Sequence, residues 1–237
     1  MSCSEYAVGL DWGDDMPDRE FDFNLLIGAM GELAVRSLAT LIPVFLALVG
    51  SRFAVDYYLP DNVFAGIFVA VLQFVISYFL VKGLAQHSGL LAEGEEGPGF
   101  GAYFGVSFVI GLGTSVGYLL LVLPGIFLSI RWLLAFPFLF SGETYDGRDG
   151  AIGSSWAMTG PVFWKLLAGY IVSIVFIAIG IYAYVLYADA FDPTMRLVWL
   201  AVANIASAAS TIYMLVLGFA SFLLLRNDNE ELDRIFA

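Results

Sequence analysis

The 237-residue sequence contains one cysteine, Cys3, and one histidine, His87. A single thiol cannot close a disulfide, and together the two cannot build a Cys/His metal site within one chain. Charge is scarce as well: Asp, Glu, Lys and Arg make up 14% of the residues, where a soluble domain carries about a quarter. A soluble domain of this length and composition would expose apolar surface on a scale that promotes aggregation. Basic residues are fewest, 10 Lys and Arg against 22 Asp and Glu. The resulting net charge of −12 argues against a nucleic-acid partner, which needs a basic footprint to neutralise phosphate. Intrinsic disorder is excluded from the other direction, because nothing here is too polar to collapse. A cleavable secretory signal is not visible either. Residues 1–22 are acidic and broken by Asp, Gly and Pro, so the first spanning helix is expected to act as the insertion signal.

What the chain has instead is apolar length. Sixty per cent of its residues are hydrophobic and its mean hydropathy is +0.85, so its solvent is lipid. The expected fold class is all-α, a polytopic integral membrane bundle of about six transmembrane helices. Residues 1–34 read as an acidic tail followed by an amphipathic stretch, 35–225 as the transmembrane domain, and 226–237 as a second acidic tail. Asp11, Asp14, Asp15, Asp18, Glu20 and Asp22 in front and Asp228, Glu230, Glu231 and Asp233 behind read as solvated ends, or as a docking segment for a basic partner.

Crossing about 30 Å of hydrocarbon takes roughly 20 helical residues. Within 21–36, Leu25, Leu26, Ala29 and Leu33 follow helical spacing, which suits an interfacial helix or one packed against the bundle. The first span is expected over 35–55, bounded by snorkelling Arg36 and Arg52 and kinked at Pro43. A tight turn at 59–62 leads to the second span, 63–81, ended by Lys82. After a Gly-rich loop at 86–99 the third span covers 103–123. Pro124-Gly125 then reads as a hairpin, with the fourth span over 126–141 carrying Arg131 near its start. The connection 142–161 suggests a short helix capped by Asp149 and stopped at Gly160-Pro161. The fifth and sixth spans are expected over 163–187 and 197–225. With an even count both ends share one side. That side collects Arg19, Arg36, Lys82, Arg148, Lys165, Arg226 and Arg234, which favours cytoplasmic termini.

The stretch 121–164 carries a pattern: LPGIFLSIRW, then FPFLFSGE, then GAIGSSWAMTGPVFWK. It resembles the YciC-like bacterial membrane proteins and the membrane domain that precedes some glycerophosphodiester phosphodiesterase catalytic domains. The matching positions are Pro124, Gly125, Ile126, Arg131, Trp132, Glu143, Ser155, Trp156, Thr159, Gly160 and Lys165. The chain departs from the pattern where Thr159 and Gly160 stand adjacent. The resemblance implies an all-helical inner-membrane protein and brings no phosphodiesterase activity, since that chemistry belongs to a separate barrel for which no residues remain.

Among single residues, Arg131 reads as a headgroup-contacting or hairpin-capping cation, or as a contact for an anionic lipid or substrate. Trp132, Trp156, Trp164 and Trp199 suit an aromatic belt, with Trp156 also placed to dock the connector helix. Glu143, Asp146, Arg148 and Asp149 read as caps of that helix, and His87 as a solvated loop residue. Gln73, Asn204, Ser207, Ser210 and Thr211 place polar groups inside spans, for helix packing or for a substrate path. No nucleophile–base pair, metal set or cofactor motif is legible. The expectation is a non-enzymatic accessory or envelope-maintenance protein whose partners are the lipid bilayer and a membrane or peripheral protein. The alternative is a lipid- or small-solute-handling permease that uses Arg131 and the Pro124-Gly125 break.

Overall fold

A computed structural model describes residues 22–60, 62–92, 94–145 and 150–236, the segment 227–236 as helix backbone. The described residues form nine helices: α1 (Phe23–Arg36), α2 (Leu38–Tyr58), α3 (Val63–His87), α4 (Phe100–Leu120), α5 (Val122–Arg131), α6 (Ala135–Ser141), α7 (Ala151–Thr159), α8 (Phe163–Asp189) and α9 (Pro193–Phe236). Six stretches are long and apolar enough to cross a membrane: α2, α3, α4, α5 with α6, α8, and α9 as far as Arg226. The chain is a multi-pass, all-α membrane protein.

Short polar side chains start several of these helices. Asp22 accepts from the Asn24 N–H at 3.2 Å, and Asn62 accepts from the Ala65 N–H at 3.1 Å. Asp192 accepts from Thr194 and Met195 as α9 begins at Pro193, a position where the missing N–H has no intrahelical partner to lose. At the far end of α6, Gly142 adopts φ 68° and closes the helix in the left-handed conformation that glycine enters without strain.

The buried residues form two cores, and α1, α6 and α9 contribute to both. Leu26, Ile130, Leu134, Phe138, Met158, Leu166, Leu217 and Phe222 make the first. Leu33, Leu41, Leu80, Leu84, Tyr103, Phe140, Val216 and Phe219 make the second. Leu26 and Leu33 thus pack α1 against the bundle, while Ile27 and Val35 on its other face stay exposed. Elsewhere the spans keep broad apolar faces outward, as lipid-facing helices must.

Several boundaries differ from the expected ones. The first span begins at Leu38, after Ser37 separates it from α1, and α2 continues through Pro43. α3 passes Lys82 and ends at His87, whose Nδ1 lies 2.7 Å from the Gly83 carbonyl, so His87 belongs to a helix end rather than a loop. The turn between α4 and α5 falls at Leu121, in extended backbone (φ −162°, ψ 150°), not at Pro124-Gly125. Pro124 lies in the first turn of α5, where a missing N–H removes no intrahelical bond. Gly125 serves a close approach: a Cβ on Gly117 would lie 2.9 Å from the Gly125 Cα. The fourth span is two helices broken at 132–134. α9 extends past 225 as one helix to Phe236, beyond the expected start of an acidic tail.

Candidate functional site

The break at 132–134 organises the motif residues. Pro137 has no N–H to offer the Leu133 carbonyl four residues earlier, and its ring crowds that carbonyl. The effect is felt upstream of the proline. Leu133 N–H bonds the Ile130 carbonyl at 3.2 Å, and Ala135 N–H turns back to Trp132 at 3.1 Å. The Arg131 carbonyl and the Leu134 N–H therefore lack their α-helical partners. The Leu133 carbonyl points at α9, where a Cβ on Gly218 would meet it at 2.6 Å. Glycine at 218 is what lets α9 pass.

α7 supplies the missing partners. The Ser155 hydroxyl donates to the Arg131 carbonyl at 2.9 Å and accepts from the Leu134 N–H at 3.1 Å. Thr159 Oγ1 lies 3.3 Å from the same Arg131 carbonyl and donates along α7 to the Ser155 carbonyl at 2.7 Å. Beside them, Ser154 accepts from the Tyr145 N–H at 3.1 Å and pins the chain entering α7. Ser154, Ser155 and Thr159 are wholly buried, so each of these bonds is made away from solvent. One hydroxyl bridges both sides of a helix break.

The Arg131 side chain closes the same cluster from outside. Its guanidinium carbon lies 4.6 Å from the Trp156 ring centroid and 5.6 Å from that of Phe127. As the last residue of α5, not near the start of a span, it also places positive charge at a helix C-terminus, the favourable end of the dipole. Gly160 makes room: a Cβ there would stand 2.9 Å from Arg131 Nη1. Trp132 reaches the other way, over Gly113 of α4, where a Cβ would fall 2.3 Å from the indole. Trp132 and Trp156 are half-buried neighbours with centroids 6.4 Å apart, whereas Trp164 is exposed, at 75%.

The chain matches no family model, no curated protein and no solved structure.

Of the motif positions, Arg131, Trp132, Ser155, Trp156, Thr159 and Gly160 converge on one spot, and Pro124 and Gly125 lie at the start of the same α5. Glu143 and Lys165 do not join them. Glu143 pairs with Arg226 of α9 at 3.2 Å instead of capping α7, and both side chains are more than a third exposed. Lys165 is exposed in the first turn of α8. Gly150, not Asp149, occupies the N-cap of α7; Asp146, Arg148 and Asp149 lie outside the described residues, as do Cys3 and the acidic residues of 1–21. Among the described residues no group of three His, Cys, Asp or Glu side chains could hold a metal ion. Chemically the cluster offers hydrogen bonds and a cation on aromatic rings, which hold three helices together.

The polar residues of the spans divide in two. Ser210 pairs with Ser173 of α8 at 2.8 Å, and Tyr213 donates to the Gly169 carbonyl at 2.9 Å, so these lock α8 to α9. Gln73, Asn204, Ser207 and Thr211 lie apart, with Arg52 and with Ser77. Asp56, which no sequence pattern singles out, completes that second group: Arg52 Nε lies 3.7 Å from its carboxylate and Asn204 Nδ2 donates to it at 3.3 Å. Only its i,i+4 spacing from Arg52, near a span end, hints at the pair.

Proposed function

We propose that the chain is a non-enzymatic, multi-pass protein of the bacterial cytoplasmic membrane that serves as an accessory or envelope-maintenance module for a membrane or peripheral partner. The supporting observation is where the motif's chemistry goes. The hydroxyls of Ser154, Ser155 and Thr159 bond main-chain groups, and the Arg131 guanidinium packs on Trp156 and Phe127. Side chains engaged in this way support an architectural role for this part of the motif. The resemblance to YciC-like proteins, and to a membrane module that accompanies catalytic domains, points the same way. The distribution of Lys and Arg favours cytoplasmic termini.

The test is photo-cross-linking in the native membrane from position 164, the exposed tryptophan beside Lys165, against position 64 on a lipid-facing stretch of α3. A single protein species recovered from 164 and absent from 64 is the expected result. No reproducible adduct from 164 would count against an accessory role. A lipid- or small-solute-handling permease is the second reading. Its support comes from the polar group between α2, α3 and α9, and not from Arg131.

A further inference from the structure

α2 packs against both α3 and α9, and where α3 and α9 diverge they line an open-sided cavity of about 250 Å³. At about 30 Å³ per molecule this is room for roughly eight waters. Its polar lining comes from three helices: Arg52 of α2, Gln73 and Ser77 of α3, and Asn204, Ser207 and Thr211 of α9. From the α2–α3 turn, Arg52 is about 9 Å along its helix and Gln73 about 15 Å along the next. The cavity therefore reaches toward the middle of about 30 Å of hydrocarbon, where polar groups are costly without partners.

The unused hydrogen-bonding capacity defines what fits. Ser77 donates to the Gln73 carbonyl at 2.8 Å and Thr211 to the Ser207 carbonyl at 3.1 Å, so their hydrogens are engaged. Asn204 Nδ2 donates to Leu200 at 3.0 Å and to Asp56 at 3.3 Å. One hydrogen of Gln73 Nε2 goes to the Leu48 carbonyl at 3.3 Å. Among the described residues, Gln73 Oε1, Asn204 Oδ1 and the lone pairs of Ser77 and Thr211 still accept. Donors remain on Arg52, whose side chain is half exposed, and on Ser207. Asp56 balances the charge of Arg52, so a ligand with net charge would bring an uncompensated charge to this depth. A neutral dipolar ligand would not.

We propose that this cavity binds a zwitterionic group, with its anionic oxygens on Arg52 and Ser207 and its ammonium hydrogens on Gln73 Oε1 and Asn204 Oδ1. That chemistry is offered both by a zwitterionic lipid headgroup and by a small free zwitterion. The site shares no residue with the Ser155 cluster, so it stands or falls separately from the accessory role.

The experiment takes the full chain in nanodiscs containing equal phosphatidylethanolamine and phosphatidylglycerol, read by native mass spectrometry, and in detergent with L-serine or taurine, read by calorimetry. Retention of phosphatidylethanolamine over phosphatidylglycerol identifies a lipid headgroup, and binding of L-serine or taurine identifies a free solute. In either case Arg52→Gln and Gln73→Leu lower affinity at least tenfold, while Glu143→Gln, far from the cavity lining, leaves it unchanged. Should Arg52→Gln fail to fold because Asp56 loses its cationic partner, Gln73→Leu decides alone. Equal binding of phosphatidylglycerol, no binding of any probe, or full affinity in the variants would overturn the assignment.

Discussion

Replacing Ser155 by alanine removes one oxygen and, with it, both hydrogen bonds that bridge the break at 132–134. The two losses are unequal. The Arg131 carbonyl keeps Thr159 at 3.3 Å. The Leu134 N–H keeps nothing, because Ser155 is its partner and no main-chain carbonyl accepts from it. Leu134 is wholly buried, so water cannot substitute. An orphaned buried donor costs about 1–3 kcal/mol, and an expected loss of about 2 kcal/mol follows. By comparison, Ser173→Ala at the α8–α9 contact removes an ordinary interhelical bond and should cost about 0.6 kcal/mol. The assay is reversible unfolding in mixed micelles at rising SDS fraction, followed by tryptophan fluorescence, since Trp132 and Trp156 flank the break. Thr159→Ala supplies the second edge of a double-mutant cycle. Because both hydroxyls serve one carbonyl, the double variant should lose more than the sum, by about 0.5 kcal/mol or more. A Ser155→Ala protein within about 0.5 kcal/mol of the parent, or strict additivity, would refute the bridging role.

Other outcomes follow from the same packing. Gly117→Ala sets a Cβ 2.9 Å from the Gly125 Cα, which as main chain cannot rotate away, so the variant should lose about 1–3 kcal/mol in the same unfolding assay. Trp156→Leu removes the ring under Arg131 and should cost about 1–2 kcal/mol, with Trp156→Phe recovering part of it; equal losses would argue against a cation–π contribution. Glu143→Gln breaks an ion pair whose partners are both more than a third exposed, and should cost less than about 1 kcal/mol, diminishing further at high salt.

The number and approximate bounds of the spans were legible because hydropathy averages over some twenty residues, and each span fills such a window. Breaks were harder to place. Pro124 and Gly125 looked like a turn, but a proline fits the first turn of a helix and a glycine also serves where two helices touch, so the actual turn fell at Leu121. Pro137 acts at the carbonyl four residues before it, so the break opens at 132–134, upstream of the proline itself. That Trp156 docks the connector helix was an expectation; that Ser155 and Thr159 satisfy the broken helix required seeing the Arg131 carbonyl left without its helical partner. The cavity was invisible for a different reason. Arg52, Gln73 and Asn204 lie on three helices, and no periodicity within one segment reports which faces will meet.

Asp56 and Asn204 stand 148 positions apart, and the same α9 also closes against α1 and α8. During synthesis α2 and α3 leave the ribosome long before α9 exists, so for most of translation Arg52 and Asp56 have only each other in the bilayer. The wall that completes their surroundings is the last piece laid down. Biogenesis therefore has a vulnerable interval, in which an unfinished chain presents a polar flank to lipid or to whatever chaperone shields it. A chain that stalls before residue 204 leaves that flank without the Asn204 contact.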